Sequence, residues 1–394
     1  MASAEENQVA VPQVPDDDDE FDLSNSDVCT KYREAGRIAN LALQGIKGQV
    51  KEGATIGSLC KFGDTVIAQL CSAIYQKKVN GKAIDKGVAF PTCVSVNEVV
   101  CHNCPLESDA EGLVALKAGD LVKVDLAVHI DGFIVAVADT LKCDAAPTPE
   151  SPLAGEEGNL FRAAHFMQEV ASKLVRPGRS NEEVTMAWEK IAESFGVSLV
   201  EGTLSHQMKR YVIDGNKVII GKRDHTMKVD PVTFELNEVY CVDVGLSTGD
   251  GKCKQSETRT TVFKRAVDKS YRLKMKASRY LFNEVNNKFP TLPFTLRAFD
   301  DEKSARMGVV ECQKHELVTP YPVLHEKEGA QVVHFKFTLL LLPSGTVRVT
   351  DQSVDPACYA TDKEVCEETK AILAMSSKTN KKKKKKAKDT KAAE

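Results

Sequence analysis

The chain has 394 residues, of which 42% are hydrophobic and 28% are charged, so it can form one large globular domain or two smaller ones. This composition excludes a wholly disordered protein. No apolar run approaches the roughly 20 residues that cross a bilayer, and no basic-then-apolar signal segment begins the chain. We therefore expect no membrane insertion and a cytosolic or nuclear address. The 12 cysteines are scattered in a chain too large to need disulfides, which predicts reduced thiols.

The net charge of -3 conceals a gradient along the chain. Residues 1–30 carry nine acidic and no basic side chains, whereas residues 378–394 carry nine lysines and two acidic side chains. Both ends lack the apolar residues that offset the entropy of ordering, so we predict a disordered acidic arm over residues 1–27. Residues 361–394 are predicted to hold a last helix and a disordered lysine-rich tail. That tail suits a solubilising or nuclear-import role and phosphate contact equally.

Apolar residues recur at helical spacing in four places and predict two pairs of helices. The predicted helices run from Tyr32 to Ile46, from Leu59 to Ile74, from Phe161 to Leu174 and from Ser180 towards Gly196. Ser180 and Glu183 form a capping box at the start of the fourth helix. Each pair is followed by residues with the pattern of strands.

The segment from residue 120 to residue 140 predicts a β-hairpin. Apolar residues alternate with polar or small ones, which is the pattern of a half-buried strand, and Asp131-Gly132 marks a two-residue turn. That turn places residue 127 opposite residue 136, so Asp125 and Ala136 become diagonal neighbours on one sheet face. A carboxylate at position 136 would complete a metal-bridging pair with Asp125, but alanine cannot.

The order of elements repeats within the chain. VKEGATIG at 50–57 matches VRPGRSNE at 175–182, and DLVKVDLAVH at 120–129 matches NEVYCVDVGLS at 237–247. We predict a duplicated unit of two helices and a hairpin, in which Asp125 and Asp243 are equivalent and face one central cavity. His102 and His206 lie upstream of the two hairpins. Residues 268–327 form an insertion of mixed helical character before a strand at 332–343.

Five sequence blocks stand out along the chain: GVAFPTCVSVNEVVCH at 87–102, KVDLAVHIDG at 123–132, LSHQMKRYVIDG at 204–215, EVYCVDVGLSTGDG at 238–251 and HFKFTLLLLP at 334–343. In order and spacing, these blocks resemble the type II methionine aminopeptidases. The resemblance spans roughly residues 28–360. It implies the α/β (α+β) pita-bread fold, also called the creatinase/aminopeptidase fold, with duplicated halves and a helical insertion.

The resemblance also implies which residues stand at the metal site. Members of that family bind two divalent ions through two aspartates, one histidine and two glutamates, with a second histidine beside the scissile bond. The corresponding residues here are Asp125, Ala136, His206, Asp243, Lys336 and, beside the bond, His102. A further family histidine corresponds to Asp214. Ala136 and Lys336 replace an aspartate and a glutamate, so only part of the set survives.

The net charge of the residues at these positions determines whether they can still bind two divalent ions. The family's four carboxylates balance two divalent ions, whereas Asp125, Asp243 and Lys336 sum to one negative charge. An ammonium about 4 Å from a divalent ion is repelled by roughly 8 kcal/mol at an effective dielectric near 20. We therefore expect no metal, no cofactor and no aminopeptidase activity. We expect Lys336 to pair with Asp125 or Asp243 and to hold the halves together.

A narrower resemblance points to a non-catalytic eukaryotic branch of the same fold. It rests on DGFI at 131–134, PFTLRAF at 293–299, DEKSARMGVVEC at 301–312, YPVLHEKEG at 321–329 and the terminal lysine run. It implies binding to RNA and to the large ribosomal subunit near the peptide exit, and regulation of translation and ribosome biogenesis. It also implies residence in the cytoplasm and the nucleus or nucleolus. Signalling or transcription partners are a further implication.

Two basic segments are the predicted contacts with ribosomal RNA. Arg272, Lys276 and Arg279 recur at i, i+4 and i+7, which predicts one face of a helix. The predicted contacts are Lys264, Arg265, Lys269, Arg272, Lys274, Lys276 and Arg279 in the insertion, and Lys381, Lys382, Lys383, Lys384, Lys385 and Lys386 in the tail. A solvated surface helix is the alternative interpretation of the insertion's cations.

Other motifs favour structural roles. Cys101 and Cys104 form a single CxxC without a partner pair, so we expect part of the fold rather than a zinc or redox site. His129 is predicted to be a hydrogen-bonded core histidine, and His315, His325 and His334 lack ligand-like spacing. Two other functions stay open: an aminopeptidase with degenerate metal chemistry, and a module that binds nascent peptides in the old cleft.

Overall fold

The computed structural model describes residues 21–79, 81–223, 228–351 and 355–376. The helices in these ranges are α1 (Ser26–Lys47), α2 (Ile56–Ser72), α3 (Gly155–Leu174), α4 (Asn181–Phe195), α5 (Lys276–Lys288), α6 (Glu302–Lys314) and α7 (Glu367–Leu373). The strands are β1 (Lys86–Val96), β2 (Val99–Cys101), β3 (Leu121–Ile130), β4 (Phe133–Lys142), β5 (Ser198–Leu199), β6 (Leu204–Met208), β7 (Val218–Ile220), β8 (Val239–Ser247), β9 (Lys254–Gln255), β10 (Val262–Arg265), β11 (Phe294–Thr295), β12 (Val318–Tyr321), β13 (Leu324–His325), β14 (Val332–Leu342) and β15 (Gly345–Arg348).

The four predicted helices are confirmed as α1 to α4, and their ends follow local chemistry. Ser180 accepts a hydrogen bond from the Glu183 N–H while the Glu183 side chain accepts one from the Ser180 N–H, so the predicted capping box is present. Gly196 ends α4 with φ 64°, a left-handed conformation that favours glycine. At the N-terminus, Leu23 is buried and α1 begins at Ser26, inside the predicted arm of residues 1–27. Residues 1–20 of that arm lie outside the described residues.

The duplication is visible in the loops that precede α2 and α4. Gly53 and Gly178 have φ values of 84° and 87°. The Gly53 N–H donates to the Leu116 carbonyl, and the Gly178 N–H donates to the Phe234 carbonyl, which is the same contact in each half. Positive φ is a glycine conformation, so both repeats need glycine at this position. The predicted repeat of two helices, with an equivalent loop between them, is confirmed.

One nine-stranded sheet joins the two halves. Its order is β1-β3-β4-β14-β8-β6-β7, with β15 on β14 and β5 on β8. On one face, the first hydrophobic core packs α1 and α2 against β3 and β4, and the second packs α3 and α4 against β8 and β14. The other face carries Asp125 and Asp243. The predicted hairpin register is confirmed, because Ala127 lies opposite Ala136 and Asp125 lies opposite Ala138.

Two predictions about the strands are wrong. β3 is buried at every position, including Lys123 and Asp125, because protein covers both faces of the sheet rather than one. The predicted second hairpin does not form. β8 pairs with β5, β6 and β14, and β14 begins at Val332, far along the chain. The chain leaves the sheet after Ser247, so the excursion starts before the predicted insertion of residues 268–327.

The excursion builds a small body with its own core. α5 and α6 pack over the sheet β11-β10-β12, around side chains that include Phe263, Leu281 and Phe294. The predicted helical face is wrong, because α5 begins at Lys276 and Arg272 precedes it. The Glu311 carboxylate on α6 accepts hydrogen bonds from the backbone N–H groups of residues 274 and 275, which holds this segment outside the helix.

The junction between the halves lies where β4 meets β14. Within the described residues, backbone pairing of these two strands is limited to Lys336 with Ala138. Two threonine hydroxyls complete the junction. Thr338 Oγ1 accepts from the Ala136 N–H and donates to its carbonyl, and Thr140 Oγ1 does the same with His334. We call the junction of β4 with β14 the seam.

No helix in the described ranges is both long enough and apolar enough to span a membrane.

Replacing Thr338 tests the seam. Thr338→Val keeps the shape of a fully buried side chain but leaves the N–H and the carbonyl of Ala136 without their partner. We expect the free energy of unfolding to fall by about 2–4 kcal/mol in chemical denaturation, because two buried polar groups lose hydrogen bonds. Thr30→Val is the control, since Thr30 bonds the Ser26 carbonyl on the exposed surface of α1. If the two variants lose the same free energy of unfolding, the Thr338 hydroxyl does not have the proposed role at the seam.

Candidate functional site

A cavity of about 270 Å³ lies at the face of the sheet opposite helices α1 to α4. Six residues singled out from the sequence line it together: His102, Asp125, Ala136, His206, Asp243 and Lys336. They come from separate strands and loops of both halves. The prediction that both aspartates face one central cavity is therefore confirmed.

Strand register brings the charged groups into one row across the sheet. Lys336 on β14 lies opposite Asp243 on β8 and opposite Ala138 on β4, and Ala138 in turn lies opposite Asp125 on β3. Paired residues of antiparallel strands point to the same face. The small Ala138 separates Lys336 from Asp125 in this row.

The Lys336 ammonium bridges the two aspartates. Its Nζ lies 2.7 Å from Asp125 Oδ2 and 3.3 Å from Asp243 Oδ2. All three side chains are largely buried, so the attraction acts in a poorly solvated environment. The sequence predicts a pair with one aspartate or the other, and the structure shows contact with both.

The electrostatics of this site keep Lys336 and Asp243 charged. Burial disfavours the ammonium, yet Asp125 and Asp243 together hold the pKa of Lys336 well above its ordinary value. Burial would also raise the pKa of Asp243, but the neighbouring charges of His334 and Lys336 hold it far below its usual range. Lys336 therefore stays protonated, and loss of its proton does not clear the site for a cation.

His334 belongs to the site although its sequence spacing did not indicate a partner. Its Nε2 lies 2.6 Å from Asp243 Oδ1, so the two oxygens of Asp243 contact different groups. The lack of ligand-like spacing noted for His334 gave no indication of this contact. Since residues i and i+2 of a strand share a face, its position two residues before Lys336 is the signal that could have placed it there.

Two further histidines line the cavity and bond to backbone. His102 Nδ1 lies 3.1 Å from the Pro322 carbonyl, and His206 Nδ1 lies 3.2 Å from the Gly215 carbonyl. A carbonyl only accepts, so Nδ1 carries the proton in both rings. Burial and the nearby Lys336 charge lower the pKa of His102 to about 4. The position of the remaining family histidine holds Asp214, which forms an ion pair with Lys264 at 2.5 Å.

These residues do not fit two metal ions. The Lys336 ammonium occupies the space between Asp125 and Asp243, at hydrogen-bonding distance from the first. Ala136 offers no oxygen, and its backbone is already bonded to Thr338. Across the described ranges, no group of three or more His, Cys, Asp or Glu side chains has the arrangement of a metal site. One acceptor is left over, because Asp125 Oδ1 is buried and receives no hydrogen bond from a described residue.

The motifs given structural roles remain structural in the fold. His129 is buried and its Nδ1 accepts a hydrogen bond from the Gly132 N–H at 3.3 Å, which confirms its assignment as a core histidine. Cys104 is buried beside Thr295. Burial raises the pKa of the Cys101 thiol, which therefore stays protonated and is a poor metal ligand.

The structure divides the predicted RNA contacts into two groups. Five of them are exposed at the start of α5 and in the segment before it: Lys269, Arg272, Lys274, Lys276 and Arg279. The other two face inward. Lys264 pairs with Asp214, and the half-buried Arg265 lies 5.8 Å from the Phe282 ring centroid, with its pKa lowered by burial. The tail lysines 381–386 lie outside the described residues.

Comparison with known proteins places this site in a family. The model of metallopeptidase family M24 matches residues 30–277. The chain belongs to metallopeptidase family M24. The structure also superimposes on that of a thermophilic Arx1 with a TM-score of 0.83 at 30% identity, covering 90% of this chain and 100% of that one. The M24 pita-bread fold implied by the sequence blocks is thereby confirmed.

Two relatives within the family match nearly the whole chain. "ERBB-3 binding protein 1" of Solanum tuberosum is 48% identical over 373 residues, which are 94% of each chain. "Curved DNA-binding protein" of Schizosaccharomyces pombe is 37% identical over 379 residues, 95% of this chain and 97% of that protein. The narrower resemblance, to a eukaryotic branch of the M24 fold, is confirmed.

Removing the ammonium tests its role in this M24 fold. Lys336→Met leaves Asp125 and Asp243 buried without their shared cation, and we expect a loss of about 3–5 kcal/mol in the free energy of unfolding at pH 7. The variant's carboxylates should protonate readily because like charges repel. The difference in free energy of unfolding between the variant and the parent should therefore become smaller as pH falls from 7 to 4.

The parent protein behaves differently over this range. In the folded protein the pKa of Asp243 is lower than the pKa of about 4 that an aspartate has in the unfolded chain. Asp243 therefore adds fully to the free energy of unfolding above pH 4, and this stabilisation is lost only as pH falls through the lower, folded-state pKa. Denaturation of both proteins between pH 4 and pH 7 measures the difference. Exposed Lys363→Met is the control. A stability difference between Lys336→Met and the parent that does not change with pH would contradict the bridging role of Lys336.

Proposed function

We propose that this M24 protein is catalytically inactive and binds ribosomal RNA and the large ribosomal subunit near the peptide exit. It acts there as a regulator of translation, ribosome biogenesis and growth, in the cytoplasm and in the nucleus or nucleolus. The observation that carries the proposal is the Lys336 ammonium, which bridges the two aspartates that a metallopeptidase would use for metal. Signalling or transcription partners would bind other surfaces of the same fold.

The charges in the cleft oppose metal-dependent catalysis. A dinuclear peptidase needs carboxylates that bridge two ions and activate a water between them. Here a cation of the protein lies where those ions would need negative charge, and its raised pKa keeps it charged. Ala136 removes a bridging oxygen as well. His102 and His206 alone cannot replace the lost carboxylates.

Exposed positive charge on the insertion supports nucleic-acid binding. Lys269, Arg272, Lys274, Lys276 and Arg279 are exposed over a short stretch of chain at the edge of the insertion body. We call these five residues the basic patch. Lys269 forms an ion pair with Glu316 at 3.6 Å, on an exposed surface, and Arg279 donates to backbone carbonyls rather than to a carboxylate. Phosphate groups of RNA are the complementary partner for such a surface.

The names of the relatives support this direction. The Schizosaccharomyces pombe protein is named for binding curved DNA, which is again a phosphate-bearing polymer. The Solanum tuberosum protein is named for binding ErbB-3, which supports the proposal of a signalling partner. The lysine-rich tail would give a second, sequence-independent anchor on the same polymer.

One observation favours a second candidate function, the binding of a nascent peptide in the old cleft. The cavity of about 270 Å³ persists although its metal chemistry is lost, and Asp125 Oδ1 is a buried acceptor without a donor. A peptide N-terminal ammonium would satisfy it. Site-specific crosslinking on translating ribosomes, with the probe placed first in the cleft and then in the basic patch, separates this function from docking through the insertion.

Restoring the missing charges tests inactivity. The triple variant Ala136→Asp, Asp243→Glu, Lys336→Glu recreates the family's carboxylates, and we expect it to bind manganese or cobalt at least tenfold more tightly than the parent in calorimetry. Lys336→Met is the matched control, because it removes the ammonium without adding a carboxylate, and it should gain less affinity. Stoichiometric metal in the unaltered protein, together with release of N-terminal methionine from peptides, would refute the proposal.

Neutralising the basic patch tests docking. Lys269, Arg272, Lys274 and Lys276 are changed together to glutamine, and co-sedimentation with purified large ribosomal subunits is measured over a range of salt. We expect at least tenfold weaker binding and a flatter salt dependence, because each lost phosphate contact lowers the salt slope by about 0.7–0.9. The control variant changes four exposed lysines elsewhere to glutamine: Lys51, Lys117, Lys252 and Lys363.

The control variant should sediment like the parent. If the patch variant also does so at every salt concentration, the basic patch is only a solvated surface. A separate chain lacking residues 377–394 measures the contribution of the tail.

A further inference from the structure

Three cysteines that are far apart in the sequence meet in the core around α2 and β1. Cys60 lies on α2, Cys93 lies on β1 and Cys104 follows β2, and each is at most 1% exposed. All three are free thiols within one hydrophobic core. We call them the thiol cluster. No group of side chains in the described ranges, this cluster included, has the arrangement of a metal site, so reactions between the sulfurs are the chemistry to consider.

Contacts of Asn103 hold the cluster together. The Asn103 carbonyl accepts a hydrogen bond from the Val94 N–H at 2.8 Å, and Asn103 Nδ2 donates to the Val94 carbonyl at 2.9 Å. The adjoining residues Cys93 and Cys104 are therefore close to each other. Cys60 Sγ reaches the same place from α2 and lies 3.8 Å from the Asn103 carbonyl oxygen. The sulfur of Cys104 interacts with both of the other thiols.

Cys104 is the central member of the cluster, and its partners are not the other cysteine of the CxxC motif. Cys101 lines the central cleft, where its Sγ lies 3.5 Å from His102 Nδ1. Tertiary contacts, rather than the CxxC spacing, thus make Cys60 and Cys93 the partners of Cys104.

The surroundings of Cys104 favour its thiolate. The Cys60 and Cys93 thiols, together with the Arg297 charge, hold the pKa of Cys104 well below its ordinary value, although burial opposes this. Arg297 forms an ion pair with Asp64, so its charge is partly offset and the two thiols are the larger cause. Burial raises the pKa of Cys60 and of Cys93, so both stay protonated. A thiolate beside two thiols suits attack by one sulfur and resolution by another.

A cavity of about 740 Å³ between α2, the start of β1 and the segment after α5 brings solvent close to the cluster. Thr295 and Pro91 line this cavity. Cys104 Sγ lies 3.7 Å from Thr295 Oγ1, and Pro91 precedes Cys93 by two residues on β1. A molecule as small as hydrogen peroxide needs only a local opening of this wall to reach the thiols.

We propose that the thiol cluster is a site of oxidation by peroxide, at which Cys104 forms a reversible disulfide with Cys60 or Cys93. The Cys104 thiolate attacks one peroxide oxygen, so an S–O bond forms, the O–O bond breaks, and the departing hydroxide takes up a proton and leaves as water. The Cys104 sulfur is oxidised to a sulfenic acid, and the peroxide is reduced.

The second step makes the disulfide. The Cys60 or Cys93 sulfur attacks the sulfenic sulfur of Cys104, so an S–S bond forms, the S–O bond breaks, and the thiol proton leaves with the hydroxide as a second water. Two thiols and one hydrogen peroxide thus give one disulfide and two waters. A thiol reductant reverses the reaction, which suits a transient disulfide in a reducing compartment.

The disulfide forms where the first half of the fold meets the insertion body. The Cys104 carbonyl accepts a hydrogen bond from Thr261 Oγ1, and the Cys104 thiol contacts Thr295 on β11. Leu106, two residues later, belongs to the core of the insertion body. Oxidation of Cys104 therefore alters a contact with the body that carries the basic patch.

Peptide mapping of the full-length protein tests this assignment. The reduced protein is treated with hydrogen peroxide, and the remaining thiols are alkylated under denaturing conditions. Cleavage after Lys61 and Glu98 then puts Cys60, Cys93 and Cys104 in three separate peptides. We expect mass spectrometry to detect the Cys104 peptide joined to one of the other two, and dithiothreitol to separate them.

Substitutions identify the attacking sulfur. Cys104→Ser should slow disulfide formation at least tenfold, because it removes the attacking thiolate. Cys101→Ser is the matched control and should react like the parent, since Cys101 is in the same peptide but outside the cluster. If Cys104→Ser lowers the melting temperature, the other two cysteines make the same test. Cys60→Ser and Cys93→Ser should each leave one disulfide to Cys104, and the double variant should leave none.

Three results would overturn the proposal. Oxidation confined to the half-buried Cys101, Cys253 and Cys366 would mean that peroxide does not reach the cluster. Disulfide formation in Cys104→Ser at the rate of the parent would mean that a different thiol reacts first. Oxidation of Cys104 to a sulfinic acid without any disulfide would mean that its neighbours do not resolve the sulfenic acid.

Discussion

The bridge from Lys336 to Asp125 and Asp243 is the interaction on which the centre of this structure depends. It crosses the seam, where backbone pairing within the described residues is limited to Lys336 with Ala138. Two buried carboxylates without a cation would repel each other across the middle of the sheet. An ammonium between them removes that repulsion, and the buried surroundings make the attraction stronger than at a surface. The Lys336 ammonium thus links side chains of the two halves across the seam.

Lys336 places a cation of the protein between the two aspartates of the cleft, so the charges there differ from those of a site built for metal. The basic patch lies outside the cleft, at the start of α5 and in the segment before it, and its five cations are exposed. Lys264 and Arg265, in the strand before this segment, instead have partners within the protein. The exposed positive charge in this part of the insertion is thus concentrated in one short stretch of chain.

Agreement between sequence and structure depends on how local each feature is. The register of the first hairpin was predictable because a two-residue turn sets it, and the capping box at Ser180 because its partners are three residues apart. The second hairpin was wrong because the neighbour of β8 is β14, whose pairing depends on the whole sheet. The helix through Arg272 was wrong because Glu311, from a different helix, binds the backbone before α5. Non-local contacts outweighed local periodicity in both cases.

The sequence by itself determined the duplicated halves, the fold and the loss of carboxylates at Ala136 and Lys336, because these depend on residue identity and on short-range spacing. Only the tertiary structure decided that the Lys336 ammonium contacts both aspartates and that His334 contacts the second. It also decided that Lys264 and Arg265 face inward while five other cations of the insertion are exposed. The reason is geometric: distances between charges on different strands follow from the order and register of the sheet, and neither is encoded in any single segment.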